Sequence, residues 1–254
     1  MNTVKVRNVV IGEGLPKIIV PIVAKTKEEI VKAAESFSEY RYDIVEWRVD
    51  WFDGVFNFAE VEDTAKALRD TLGDDKPILF TFRTSKEGGE KAIEPDAYVE
   101  LNKRIAMTGL VDLVDVEAFT GDSYVRDIIE TAHKCGVKVV ASNHDFDKTP
   151  AKEDLVYRLR KMQDLGADIP KIAVMPKNKK DVLTLLEATE AMANDYADRP
   201  IITMSMAGTG LISRLSGEVF GSAATFGAVG KVSAPGQMNV KDLDTILNLI
   251  HNAS

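Results

Sequence analysis

Among 254 residues there is a single cysteine, Cys135, with three histidines and two tryptophans. One cysteine excludes an internal disulfide and a thiolate metal cage. Late in an amphipathic stretch, Cys135 is expected as a packed free thiol rather than a nucleophile. No apolar stretch approaches the roughly 20 residues of a bilayer span, and the opening MNTVKVRNVV lacks the apolar core and cleavage site of a signal peptide. A cytoplasmic protein with no membrane partner is the expectation. Positive charge is also scarce: 32 Lys and Arg stand against 40 Asp and Glu, a formal net charge of −8. The one basic stretch, 177–180, is broken by Asn178. Such a chain offers no favourable field to a phosphate backbone, so no nucleic-acid partner is expected. Interdomain linkers, internal repeats and low-complexity segments are lacking as well, so the expectation is a single domain over 1–254.

What the chain has is a regular alternation. Short β-rich apolar runs at 17–24, 42–50, 77–84, 110–119, 138–146, 169–176, 200–207 and 222–227 begin 22 to 35 residues apart, about one βα unit at each step. Between them, apolar residues recur at helical spacing: Phe58, Val61, Ala65, Leu68 and Leu72 share one face, as do Val125, Ile128, Ile129 and Ala132, and Val240, Leu243, Ile246 and Ile250. Thr26 with Glu29 reads as a capping box, and Thr149 before Pro150 as an N-cap ahead of a first-turn proline. Strands apolar throughout, such as IIVPIVA and PIITM, fit a parallel sheet buried on both faces. An α/β fold follows, a (β/α)₈ TIM barrel, with an open doubly wound sheet as the competing arrangement. The run 4–11 with a turn at 12–14 is expected as an N-terminal hairpin (1–14) closing the bottom of the barrel.

A barrel gathers its chemistry at the C-terminal ends of the strands and the loops beyond them. The second strand places Glu46, Arg48 and Asp50 on one face, and charge there must be paired or used. The third ends at Arg83, with Glu87 in the loop that follows. The fifth carries His144, the histidine best placed to reach a ligand, whereas His133 and His251 read as surface groups. A metal site from Glu46, Asp50, His144 and Asp145 lacks a second nearby histidine, so no metal is expected. Lys171 is the one charge inside the sixth strand. Burial favours the neutral amine that attacks carbonyls and forms Schiff bases, yet a structural ion pair at the strand's start fits its position equally well. The seventh strand gives Met204 and Met206, followed by the turn Gly208, Thr209, Gly210 and then Arg214, suited to a carboxylate or phosphate. The loop at 228–239, with Ser233, Ala234, Pro235, Gly236 and Gln237, reads as an active-site lid.

Glu46 with Arg48, Arg83 with Glu87, Asn143-His144-Asp145, Lys171 in KIAVM, MSMA with Arg214, and SAPGQ occur in order and with barrel spacing. The set resembles the type I 3-dehydroquinate dehydratase family over nearly the whole chain. The resemblance implies a homodimeric (β/α)₈ lyase of the shikimate pathway, without metal or organic cofactor, acting on 3-dehydroquinate as its small-molecule substrate. It implies that Lys171 forms an imine with the C3 ketone, that His144 is the general acid/base, and that Glu87 orients His144. Arg214 is implied to hold the substrate carboxylate. Glu46, Arg48, Arg83, Ser233 and Gln237 would grip the ring hydroxyls, and Met204, Met206 and Phe226 would form the apolar wall. Two other readings stay open on the residues alone: a Schiff-base aldolase with the Gly208–Gly210 turn as phosphate nest, and a barrel that binds a metabolite without turnover.

Overall fold

A computed structural model describes residues 2–230 and 233–253. Among these, eight parallel strands follow the expected segments: β3 (Lys17–Ile22), β4 (Ile44–Arg48), β5 (Ile78–Thr81), β6 (Leu113–Glu117), β7 (Lys138–Asp145), β8 (Ile169–Val174), β9 (Ile202–Ser205) and β10 (Ala224–Ala228). They pair in the order β10-β3-β4-β5-β6-β7-β8-β9. The ring closes where Ile201 bridges Ser222 and the Ala223 N–H donates to the Ile201 carbonyl at 2.8 Å, which makes the sheet a barrel rather than an open one. A short further strand, β11 (Met238–Asn239), runs parallel to the end of β10.

The crossovers are α1 (Lys27–Ser36), α2 (Phe58–Leu72), α3 (Pro95–Met107), α4 (Asp122–Lys134), α5 (Lys152–Asp164), α6 (Lys179–Ala191), the pair α7 (Leu211–Leu215) and α8 (Gly217–Phe220), and α9 (Val240–His251). The reciprocal bonds between Thr26 and Glu29 start α1 as expected. Thr149 does not cap α5. Its hydroxyl donates to the Met175 carbonyl at 3.1 Å, and the helix begins after Ala151. Val125, Ile128, Ile129 and Ala132 bury the apolar face of α4, and that face ends at Ala132. Cys135 lies beyond it and is exposed, which corrects the expectation of a packed thiol.

The N-terminal hairpin pairs β1 (Val4–Val6) with β2 (Val9–Ile11). Its turn is at Arg7 and Asn8, with Arg7 at φ +50°, and not at 12–14, which instead leads the chain into β3. The alternation through 4–11 reads as one run in the sequence because a two-residue turn interrupts it so briefly. Val4, Val6 and Ile11 pack up against Ile19, Ile44, Leu79, Leu113, Val140, Ile169, Ile202 and Ala224. Water is thereby kept from the lower end of the barrel, and the upper end alone is left for chemistry.

Candidate active site

Side chains on a strand return to the same face every second residue. Two positions above the apolar layer, that period places Glu46, Thr81, Asp115, Ser142, Lys171, Met204 and Phe226 inside the barrel, all buried. Two further on it places Arg48, Arg83, Glu117, His144, Ala173 and Met206 at the mouth. The charged layer is therefore the pleat of the apolar one, continued upward.

Lys171 is the third residue of β8, above the apolar floor and not at the strand's start. Its Nζ donates to Asp115 Oδ2 at 3.0 Å, lies 4.0 Å from Glu46 Oε1, and sits 4.8 Å from the centre of the Phe226 ring. All three neighbours favour a cation at that point, whether ammonium or protonated imine. The nearest charges to Lys171 are thus carboxylates. The arginines of the layer above are themselves engaged. Arg83 donates to Asp115 at 2.6 Å, to Glu117 at 3.0 Å and to Ser142 at 3.0 Å, and Arg48 holds Asp50 through two bonds of 2.8 Å. Burial alone would raise the Asp115 carboxyl, but Arg83 and Lys171 hold it down at about 2.

Across the cavity, His144 presents Nδ1 to Glu87 Oε2 at 2.9 Å, and the same oxygen accepts the His144 backbone N–H at 2.9 Å. Burial raises Glu87 to about 7, the nearby Glu117 adding to this while Arg83 and the Asn143 amide oppose it. Burial also lowers His144 well below its ordinary value, and the positive charges of Arg83, Lys171 and Arg48 act in the same direction. A neutral imidazole beside a carboxylate carries its proton on Nδ1, leaving Nε2 with a lone pair.

The rim is formed by described residues of the loop expected as a lid. Gln237 and Ser233 bond each other, Gln237 Nε2 donating to Ser233 Oγ at 2.8 Å and Gln237 Oε1 accepting the Ser233 N–H at 2.8 Å. Arg48 reaches the Ser233 carbonyl at 3.4 Å. Beneath the lid, Ala207 has φ +57° and ψ 177°, a conformation costing an alanine on the order of 1–3 kcal/mol. There its N–H donates to the Pro235 carbonyl at 3.2 Å. Gly236, at φ +81°, lies so close over Ala207 that any Cβ would collide with its backbone. Residues 231 and 232, which belong to the expected lid, lie outside the described residues. In the Gly208–Gly210 turn a Cβ on Gly210 would strike the Ser205 carbonyl, so close packing accounts for that glycine.

Arg214 differs from the other buried cations. Among the described residues it faces no carboxylate: Nη2 donates to the Pro235 carbonyl at 3.3 Å, Nη1 meets the Met204 sulfur at 3.5 Å, and Nε has no hydrogen-bond partner. Burial without a counter-ion pulls it down to about 10. A desolvated guanidinium with free donors is a receptor for an anion brought from outside.

One cavity, with about 490 Å³ of space opening to solvent, is lined by all twelve expected site residues: Lys171, His144, Glu87, Glu46, Arg48, Arg83, Arg214, Ser233, Gln237, Met204, Met206 and Phe226. Gly88, Phe146, Ala173 and Ala234 complete the wall. Asp50 and Asp145 are not part of it; Asp50 is consumed by Arg48, and Asp145 accepts the backbone N–H groups of Asp147 and Lys148. His133 and His251 are exposed, on Asp168 and Glu218. Sequence reasoning missed Asp115 and Glu117. Their signal was present in LVDVE, two acids on one face of a strand expected to be buried, the same pattern that singled out Glu46 and Arg48.

Comparison with known proteins finds relatives that match this chain over its whole length. The family model for type I 3-dehydroquinase matches residues 18–254. The 3-dehydroquinate dehydratase of Clostridioides difficile is 58% identical over 250 residues, 98% of each chain, and that of Salmonella typhimurium 57% over 253 residues, the whole of both. The crystal structure of a type I 3-dehydroquinate dehydratase from Clostridium difficile, solved with covalently modified comenic acid, superposes with a TM-score of 0.97 at 57% identity, covering 100% of this chain and 99% of that one.

Proposed function

The chain belongs to the type I 3-dehydroquinase family, and from that premise we propose how its barrel mouth dehydrates 3-dehydroquinate to 3-dehydroshikimate, the third step of the shikimate pathway. The observation that carries the reading is the meeting, in one cavity, of a buried lysine, a histidine–carboxylate pair and an arginine without a counter-ion.

Arg214 takes the substrate carboxylate, replacing by a charged partner the weak contacts it makes in the free site. Glu46, Arg48, Arg83, Ser233 and Gln237 meet the ring hydroxyls, and Met204, Met206 and Phe226 line the apolar side. Lys171 Nζ adds to the C3 carbonyl carbon, and the carbinolamine loses its oxygen as water to give a protonated imine. Asp115 and Glu46 are placed to balance that positive charge. The iminium is the electron sink, so no metal or organic cofactor is required. His144 Nε2 removes a proton from C2, and the C–H electrons pass into the C2–C3 bond to form an enamine. The enamine then expels the C1 hydroxyl, which leaves as water with the proton from His144. Hydrolysis of the imine returns Lys171 and releases the conjugated enone. Glu87 keeps the His144 proton on Nδ1 so that Nε2 accepts.

The whole chain is proposed to act as one barrel domain, with 228–239 as a lid whose closure over the substrate excludes water. A homodimer and a cytoplasmic location are proposed on the family resemblance; no helix among the described residues is long and apolar enough to cross a membrane.

Purified protein given 3-dehydroquinate is expected to generate the ultraviolet absorbance of the conjugated product at micromolar enzyme or below; substrate left unchanged would overturn the assignment. Arg214→Met is expected to raise KM by roughly 10- to 100-fold, the range of one charge-assisted hydrogen bond, and an unchanged KM would show that the carboxylate lies elsewhere. Because Glu87 titrates near 7, activity should fall as the pH drops through neutrality: protonated Glu87 donates to Nδ1 and moves the imidazole proton to Nε2.

A further inference from the structure

Glu87 and His144 stand between the substrate cavity and a second cavity behind them, formed by the loops that follow β5, β6 and β7. Asn143 and Arg158 line this second cavity and not the substrate cavity, which places them away from the substrate. They are nonetheless joined to the reacting pair by an unbroken chain of bonds. Arg158 Nη1, from α5, donates to Asn143 Oδ1 at 2.9 Å, and Asn143 Nδ2 donates to Glu87 Oε1 at 3.0 Å. Glu87 Oε2 accepts from His144. Arg158 is anchored in turn by Asp154 at 2.7 Å and lies 3.8 Å from Asp145.

The chain has a direction that chemistry fixes. A guanidinium has donors only, so the end of the Asn143 amide facing it must be the oxygen, and the end facing Glu87 must be the NH₂. An NH₂ can be satisfied only by an acceptor, which Glu87 is at both oxygens when ionised. We propose that Asn143 and Arg158 are positioning residues for proton transfer: Arg158 sets which way the Asn143 amide points, and that amide holds Glu87 as the acceptor His144 needs. This rests on reading Glu87 and His144 as the acid/base pair.

The charges around Glu87 show why one donor matters. Arg83, just beyond β5, lies 3.5 Å away and favours the carboxylate. Asp115 and Glu117 on β6 favour the protonated acid, as burial does. Beyond His144 stand Lys171 on β8 and Arg48 on β4, and behind Asn143 stand Arg158, Asp145 and Asp154. Against burial and two acids stand Arg83, the His144 N–H groups on Oε2 and, on Oε1, the Asn143 amide.

Asn143→Asp tests this with little change of shape. The new carboxylate still accepts from Arg158, but it cannot donate to Glu87 and it adds a negative charge beside it. Glu87 should then need a higher pH to ionise. The acid limb of the kcat profile is expected to move up by about one pH unit or more, with kcat at neutral pH reduced roughly tenfold and recovered above the new limb. KM should change by less than about threefold, because the substrate cavity is untouched. Arg158→Met, which frees the amide to turn over, should move the limb the same way by less, and it decides the matter should Asn143→Asp fold poorly. Unshifted limbs in both variants would overturn the proposal, as would a loss equal at every pH with a lowered Tm. His144→Ala measured alongside separates the two levels. If it turned over as fast as wild type, the acid/base reading would be at fault; if it is inactive while both limbs stay in place, the relay alone is wrong.

Discussion

Lys171→Ala is expected to lose turnover by about 10⁴-fold or more while binding substrate and keeping the barrel. Without Nζ there is no imine, and the C2 proton must be removed next to a plain ketone. A loss of that size corresponds to about 5.5 kcal/mol of barrier. The cost to the fold should be far smaller than a buried ion pair's removal suggests. Asp115 keeps Arg83 at 2.6 Å and a bond from Ser142 Oγ at 2.6 Å, so the anion Lys171 leaves behind is not orphaned. The space vacated lies under an open cavity where water can enter. Steady-state rates on a variant whose melting temperature stays within a few degrees of wild type would check both halves. Wild-type-like turnover would remove Lys171 from the chemistry.

His144→Ala is expected to separate imine formation from elimination. A lysine and a ketone condense slowly without help, so trapped adduct should still accumulate. Removal of the C2 proton and departure of the C1 hydroxyl have no comparable substitute, because Glu87 is the neighbouring group and sits behind the imidazole, 2.9 Å from Nδ1. Turnover should fall by about 10²- to 10⁴-fold, the range general acid–base groups supply. Rapid-quench measurement of adduct against product distinguishes the steps. A variant turning over as fast as wild type would exclude His144 from proton transfer. Equal slowing of adduct formation and turnover would place its main effect at imine formation.

The parts of the fold legible in the sequence were those set by periodicity. Eight apolar runs at βα spacing pointed to a barrel and left an open sheet as the competitor until the bridge between Ile201 and Ser222 closed the ring, and the two-residue pleat above Ile44, Leu79, Leu113, Val140 and Ile169 made the charged layer a consequence of the apolar one. Motif order then placed the lysine, histidine and lid. What stayed hidden depended on tertiary contact. Nothing local marks Arg83 as the hub of Asp115, Glu117 and Glu87, nor shows that Arg48 is spoken for by Asp50 while Arg214 is not. Thr149 reads as a helix cap until the end of β8 arrives to take its hydroxyl. The strain at Ala207 is likewise silent in the sequence, since an alanine there has no local reason to leave the ordinary backbone regions.

The central claim is that Lys171 Nζ becomes covalently bound to the substrate's C3 carbon during the reaction. The direct test is to mix the protein with 3-dehydroquinate and borohydride, which delivers a hydride to the imine carbon and makes the link permanent, then to measure intact mass and map the modified peptide. One adduct per chain on Lys171, absent from Lys171→Ala, is the expected result. Substrate dehydrated with no adduct formed, or an adduct on a different lysine, would contradict the claim.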